Sequence, residues 1–287
     1  MKGKASSYGA VSVLNAVPMG KGSCIGINLT SEVEIELNNV NTDFIVLSNG
    51  EEINDVKLIN QIISDVFQIY KIDNMGVKIS INSDIPIGKG LKSSSSISNA
   101  IILATLEALK KKMDDLSVIK LGVQSSLKSG VSITGAFDDA CACFYGGLIV
   151  TDNYSITIIK KTSFENLQVI IHVPDETIYS KSVDKIKLEQ YSNLSNEVFN
   201  LILKEKYFEA MTLNGFIIST SLNLSSKTAL SAINVGALSA GISGTGPATA
   251  ALCYKDNVDD IYSEWDKLPG KIIKSTVNNN KCGVITY

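Results

Sequence analysis

Asp84-Ile85-Pro86-Ile87-Gly88-Lys89-Gly90-Leu91-Lys92-Ser93-Ser94-Ser95-Ser96 is the sharpest boundary in the chain. Before it, Val77, Ile79 and Ile81 alternate with polar residues, as in a half-buried strand. After it, Ile97, Ala100, Ile101, Ala104 and Ala108 recur on one helical face, and Lys110, Lys111 and Lys112 stand at its end, where cations favour the helix dipole. A glycine-rich loop that opens a helix has the physics of an anion cradle. Glycines let the backbone turn and approach closely, and the first N–H groups of a helix point outward without partners. A nucleotide phosphate fits such a place, with the serines capping the helix and offering a hydroxyl to phosphate-bound magnesium, and Lys89 and Lys92 adding positive charge. The segment is not a Walker A loop, because GxxxxGK[ST] fails at every Gly-Lys pair. By composition alone it reads equally as a solvent-exposed loop with an ordinary serine cap.

Upstream, Tyr8 to Ile27 reads as strands joined by a tight loop at Pro18-Met19-Gly20-Lys21-Gly22-Ser23. Val33, Ile35 and Leu37 alternate with glutamates, predicting a strand with one wet face, and Leu58, Ile62, Val66 and Ile69 predict a helix over Val56 to Ile69. Downstream, helices are predicted over Val118 to Leu127 and Asp138 to Phe144, the latter closing at Gly146-Gly147. Leu148-Ile149-Val150 and Ile156-Thr157-Ile158-Ile159 read as a hairpin, and Leu167 to Val173 as a strand. Helical patterns follow at 185–206 and 207–224, then a glycine-rich stretch at 236–247, a strand from Ala248 to Tyr254, a helix from Val258 to Leu268, and terminal strands at Ile272-Ile273 and Val284-Ile285. Two lobes are expected, residues 1–155 and 156–287.

The chain has 287 residues, 45% hydrophobic and 19% charged, enough to bury a sizeable core. A net charge of -3 leaves no basic field for nucleic acid or an anionic membrane. All 26 basic residues are lysine, so a phosphate must be held by backbone amides, hydroxyls and ammonium groups rather than guanidinium forks. His172 is the single histidine, which removes most Ser-His-Asp, Cys-His and His-rich zinc chemistry; between Ile171 and Val173 it reads as a structural residue. Five cysteines without paired CxxC spacing suit reduced thiols, and Cys141 and Cys143 read as small buried hydrophobes. No apolar signal region follows Met1 to Tyr8 and no run reaches 18 apolar residues, so a soluble, cytoplasmic protein is expected.

Two further segments carry chemistry. Gly241-Ile242-Ser243-Gly244-Thr245-Gly246-Pro247 is a second glycine-rich loop, which alone reads as a turn but gains weight beside the first. Thr134-Gly135-Ala136-Phe137-Asp138-Asp139 puts two carboxylates at a helix start. They read either as dipole partners or as a group that accepts a hydroxyl proton in phosphoryl transfer.

Taken in order, the N-terminal glycine loop, Pro86 to Ser96, Asp139 with Gly146-Gly147, and Ser243-Gly244-Thr245-Gly246-Pro247 resemble the GHMP small-molecule kinases over nearly the whole chain. Asn15 with Gly20-Lys21-Gly22-Ser23, Thr134 to Ala140 and Tyr145-Gly146-Gly147 resemble the archaeal-type shikimate kinases within them. The resemblance implies an α+β chain of two lobes, an N-terminal one like ribosomal protein S5 domain 2 and a ferredoxin-like C-terminal one, with the site between them. It implies transfer of the γ-phosphoryl of ATP to the 3-hydroxyl of shikimate, with Mg2+ as cofactor, in a monomer or homodimer.

By position, Pro86, Ile87, Gly88, Lys89, Gly90, Leu91, Lys92, Ser93, Ser94, Ser95 and Ser96 would be the ATP phosphate loop, with Ser94 at the magnesium-hydroxyl position. Asp139, with Asp138 as its rival, would be the catalytic aspartate. Asn15, Lys21, Ser23, Thr134, Gly135, Ser243, Gly244, Thr245 and Gly246 would bound the acceptor, Lys21 meeting its carboxylate. Two departures stand out: no lysine lies at Tyr8-Gly9-Ala10, where mevalonate-type members have one, and Gln124 to Lys128 has no acid where several members place a metal-binding glutamate. A homoserine or mevalonate type of kinase, or a nucleotide-binding protein without chemistry, are the rival readings.

Overall fold

The computed structural model describes residues 1–39, 43–53, 55–73, 75–132, 134–178 and 184–286. Its first sheet is built on a long antiparallel pair, β1 (Lys2–Leu14) and β2 (Lys21–Asn38). β2 divides its far edge between two partners. Lys21–Ile25 pairs with β6 (Leu148–Asp152), and Ser31–Asn38 pairs with β5 (Gly76–Ser83). β3 (Phe44–Ser48) runs parallel to β5 and carries the short β4 (Glu51–Glu52), while β7 (Thr157–Thr162) folds back on β6 as the expected hairpin. The glutamate alternation works as read: Val33, Ile35 and Leu37 are buried and the intervening glutamates reach solvent.

Four helices cover the buried face: α1 (Lys57–Tyr70), α2 (Ser93–Ala108), α3 (Asp115–Lys128) and α4 (Phe137–Tyr145). The sequence predicts one apolar face for α2, but Ala100, Ile101, Ile102, Ala104, Thr105 and Leu106 are all buried. The helix is enclosed by the sheet and the other three helices, so it needs no polar side.

The second sheet is antiparallel in the order β11-β8-β10-β9, from β8 (Gln168–Val173), β9 (Ser239–Ile242), β10 (Thr249–Cys253) and β11 (Lys271–Thr276). Between its strands come α5 (Lys185–Glu189), α6 (Ser192–Leu203), α7 (Tyr207–Ser221), α8 (Lys227–Asn234) and α9 (Val258–Trp265). A strand, a set of helices, two strands, a helix and a last strand, in that sheet order, make the ferredoxin-like lobe that was expected. Val11, Val13, Ile25 and Ile27 of the first sheet share one core with Val169, Ile171 and Leu252 of the second and with Met211 of α7, so the lobes are packed against each other through apolar contact. The division expected at 155/156 falls in the β6–β7 turn, and the first sheet keeps β7 and also takes up β12 (Gly283–Val284) against β1.

All five cysteines are free and buried. The His172 ring lies within 3.0 Å of the Pro269 carbonyl and edge-on to Trp265, a packing role. No helix among the described residues is long and apolar enough to cross a membrane.

Candidate active site

The Pro86 to Lys92 loop turns through Gly88 and Gly90, at φ 67° and 82°. At Gly90 the need for glycine is steric as well as conformational, because a Cβ would fall far inside contact distance of the Ser243 carbonyl oxygen. The second glycine-rich loop is thus a buttress for the first. Ser243 Oγ donates to Gly90 O at 2.7 Å and accepts from the amide of Ser12 at 3.1 Å, and the amide of Ala248 donates to Lys89 O at 3.2 Å. Gly244 and Thr245 line the cleft as expected, whereas Ser243 and Gly246 support it from behind.

The expected serine cap on α2 is absent. Lys92 is the N-cap residue, in the left-handed conformation (φ 69°, ψ 28°), and no side chain caps the first turn. The amides of Ser93, Ser94 and Ser95 are therefore free of helical and capping partners. Ser93 Oγ is buried without a hydrogen-bond partner although Ser93 lines the cleft, Ser94 is exposed, and Ser96 Oγ is enclosed away from it. Lys89 corrects its expected role. Its ammonium turns from the cleft and donates to the carbonyls of Pro174 at 2.6 Å, Asp175 at 2.9 Å and Glu176, a segment that follows β8 in the second lobe.

α4 opens at Ala136, also left-handed at φ 52°, and places Asp138 and Asp139 in its first turn. Asp139 faces the cleft, its side chain 19% exposed. Its Oδ1 lies 2.9 Å from the Lys92 ammonium and accepts from the Cys24 thiol at 3.3 Å. Lys92 also donates to Ser12 Oγ at 2.8 Å. Burial works against the charged form of Lys92, but the Asp139 carboxylate beside it, with that of Asp138, more than compensates and holds the ammonium above its ordinary range. Asp138 is buried behind it, against Gly22, and accepts from Asn153 Nδ2 at 2.8 Å. Burial first, then the charge of Asp139, pushes Asp138 up to about 6. Burial also pushes the Cys24 thiol well up, so it stays protonated and can donate.

These groups surround a cleft of about 320 Å³ between the lobes. One end holds Ser12, Asp138, Asp139 and Gly244; the other is apolar, with Ile53, Leu58, Ile59 and Ile97 beside Ser48 and Asp55. Asn15 and Thr134 line it, but the Asn15 side chain is engaged: it donates to Gly244 O at 2.9 Å and accepts from the Val17 amide at 2.8 Å. Besides Lys89, Ser96, Ser243 and Gly246, three more expected residues do not line the cleft. Lys21 is ion-paired with Asp152. Ser23 projects from the face of β2 opposite Gly22 and Cys24, and Gly135 packs against Val123. The structure adds Ser12, Cys24, Asn153 and Asn214, the last accepting from the Asn15 amide at 2.9 Å. No motif in the sequence marks them, because each matters only through a partner distant in the chain.

The oxygen-rich, arginine-free donor set of the cleft fits a nucleotide phosphate and magnesium: an uncapped helix start, an unpartnered buried Ser93 hydroxyl and the exposed Ser94 hydroxyl. Among the described residues, one group of three metal-capable side chains lies close together, Cys24, Asp138 and Asp139. The Lys92 ammonium already supplies the cation there.

Residues 57–147 match the GHMP kinases N terminal domain and residues 207–271 the GHMP kinases C terminal domain. The shikimate kinase of Pyrococcus furiosus is 38% identical over 279 residues, covering 96% of this chain and 100% of that protein. The shikimate kinase of Methanothrix thermoacetophila is 38% identical over 279 residues, covering 97% and 95%. Among solved structures, the mevalonate kinase of Methanococcus jannaschii superposes with a TM-score of 0.78 at 20% identity, covering 97% of this chain and 98% of that one. The homoserine kinase of Cytophaga hutchinsonii gives 0.78 at 18% identity, covering 99% and 97%.

Proposed function

The chain belongs to the GHMP kinases and, within them, to the shikimate kinases, and from that premise we propose how its residues transfer the γ-phosphoryl of ATP to the 3-hydroxyl of shikimate. The observation that carries the proposal is the meeting, in one cleft, of an uncapped helix start with a lysine-paired carboxylate. The triphosphate lies along Gly88 to Ser95, its oxygens taking the free amides of the first turn of α2, and the adenosine end enters the apolar part of the cleft near Leu58 and Ile97. Mg2+, held by Ser94 or Ser93, would neutralise phosphate charge.

The acceptor occupies the end bounded by Asn15, Thr134, Gly244 and Thr245. Asp139 orients its hydroxyl and takes the proton as the oxygen attacks phosphorus; Asp138, buried and largely enclosed, supports it from behind. Positioning and fixed charge supply most of the rate enhancement. ADP formation in a coupled assay tests the reading, with shikimate, homoserine and mevalonate as acceptors. Turnover only with shikimate is expected. Turnover only with another alcohol, or ATP binding without ADP release on any of them, would replace it.

A further inference from the structure

The N-cap position of α2 holds a residue that backbone geometry disfavours. N-cap residues are ordinarily extended, and left-handed backbone suits glycine. Left-handed lysines at helix C-caps, such as Lys71, are ordinary chain endings, but Lys92 starts a helix in that conformation, and its side chain is only 5% exposed. A buried lysine needs a partner, and the fold supplies several. The ammonium lies 2.9 Å from Asp139 Oδ1 and donates to Ser12 Oγ at 2.8 Å, and that hydroxyl is itself fixed by the Gly244 amide at 3.0 Å. Gly244 leaves room for it: a Cβ there would stand 3.1 Å from Lys92 Nζ.

Oδ1 of Asp139 also takes the Cys24 thiol, and among the described residues Oδ2 has no hydrogen-bond partner. One oxygen of the carboxylate is tethered and the other is left for a reacting group. We propose that Lys92 is the positioning residue of the phosphoryl transfer: its left-handed backbone brings the ammonium onto Asp139 Oδ1, which fixes the carboxylate so that Oδ2 meets the acceptor hydroxyl.

The proposal rests on the kinase reading above. In the step itself the O–H bond breaks and its proton passes to Asp139 Oδ2. The hydroxyl oxygen forms the new bond to the γ-phosphorus, and the bond from that phosphorus to the bridging oxygen breaks, its electron pair leaving with ADP. Lys92 keeps its protons throughout. Lys89, on the same loop, cannot substitute, because its ammonium is spent on the carbonyls of 174–176.

The test uses the full chain with ATP and shikimate, comparing Lys92→Gly and Lys92→Met. Glycine relieves the left-handed strain and leaves a space, so this variant keeps its fold; methionine keeps the stem without the charge. Both are expected to lose kcat by about 10²-fold, the scale of a misplaced reacting group, while KM for ATP moves less than about threefold. Methylammonium or ethylammonium should restore part of kcat in the glycine variant and none in the methionine variant, which has no room. Either variant keeping wild-type kcat overturns the proposal, as does a loss confined to KM for ATP, or a kcat loss in the glycine variant that no amine restores. If the wild type releases no ADP with shikimate, the substrate reading fails instead, and Lys92 is judged with whichever acceptor does turn over.

Discussion

Gly90→Ala isolates the contact between the two glycine-rich loops, and Gly130→Ala is its control. Both glycines are left-handed, at φ 82° and 70°, so both substitutions carry the same kind of backbone penalty, about 1–2 kcal/mol. They differ in surroundings. A Cβ at Gly130 meets nothing within 4 Å, whereas at Gly90 it falls far inside the 3.0 Å that real Cβ atoms respect, and the atom it meets is the Ser243 main-chain oxygen. Backbone cannot rotate aside as a side chain can, so the loops must part by something on the order of 1 Å, enough to cost about 10²-fold in rate at a reacting centre. Overpacking adds about 1–3 kcal/mol, which for a chain of this size, at ~2–4 °C per kcal/mol, places Tm of Gly90→Ala ~2–12 °C below that of Gly130→Ala. Thermal denaturation and shikimate-dependent ADP release measure the two effects. Equal melting temperatures together with an unchanged kcat/KM for Gly90→Ala would refute the claim that the second loop sets the position of the first.

Asp139→Asn should lower kcat by about 10²–10⁴-fold with ATP affinity little changed; an active Asp139→Asn beside an inactive Asp138→Asn would exchange their roles. Asp138 has a folded-state pKa of about 6 against an ordinary 3.8, so its contribution to stability is fully present below about pH 4 and is lost as the pH rises through about 6. Asp138→Asn, which cannot ionise, should therefore melt higher at pH 7.5, by on the order of 1–3 kcal/mol, and that advantage should fade as the pH falls from about 6 toward 4. A constant difference across that range would contradict the assignment. Lys89→Met should lower Tm, since three carbonyls lose a charged donor worth about 1.5–3 kcal/mol, while KM for ATP stays within about threefold. A selective loss of ATP affinity without destabilisation would return Lys89 to the phosphate.

The elements and the phosphate loop were legible in the sequence because their signals are local: period-two glutamates on β2, apolar spacing in α1, glycines between a strand and a serine-headed helix, and no arginine anywhere. The same patterns located both carboxylates at the start of α4. They could not say which lysine of Lys89 and Lys92 meets the cleft, since both flank Gly90 in the same loop. Only tertiary packing decides it: the docked second lobe offers carbonyls of 174–176 to Lys89, while β1 and α4 of the first lobe bring Ser12 and Asp139 to Lys92. Asn214 reaches the Asn15 amide across 199 residues of chain, and Ser243 supports Gly90 across 153. Periodicity reports which face of an element is buried, but the partner of a buried polar group is chosen by how distant elements pack, and that information exists only in three dimensions.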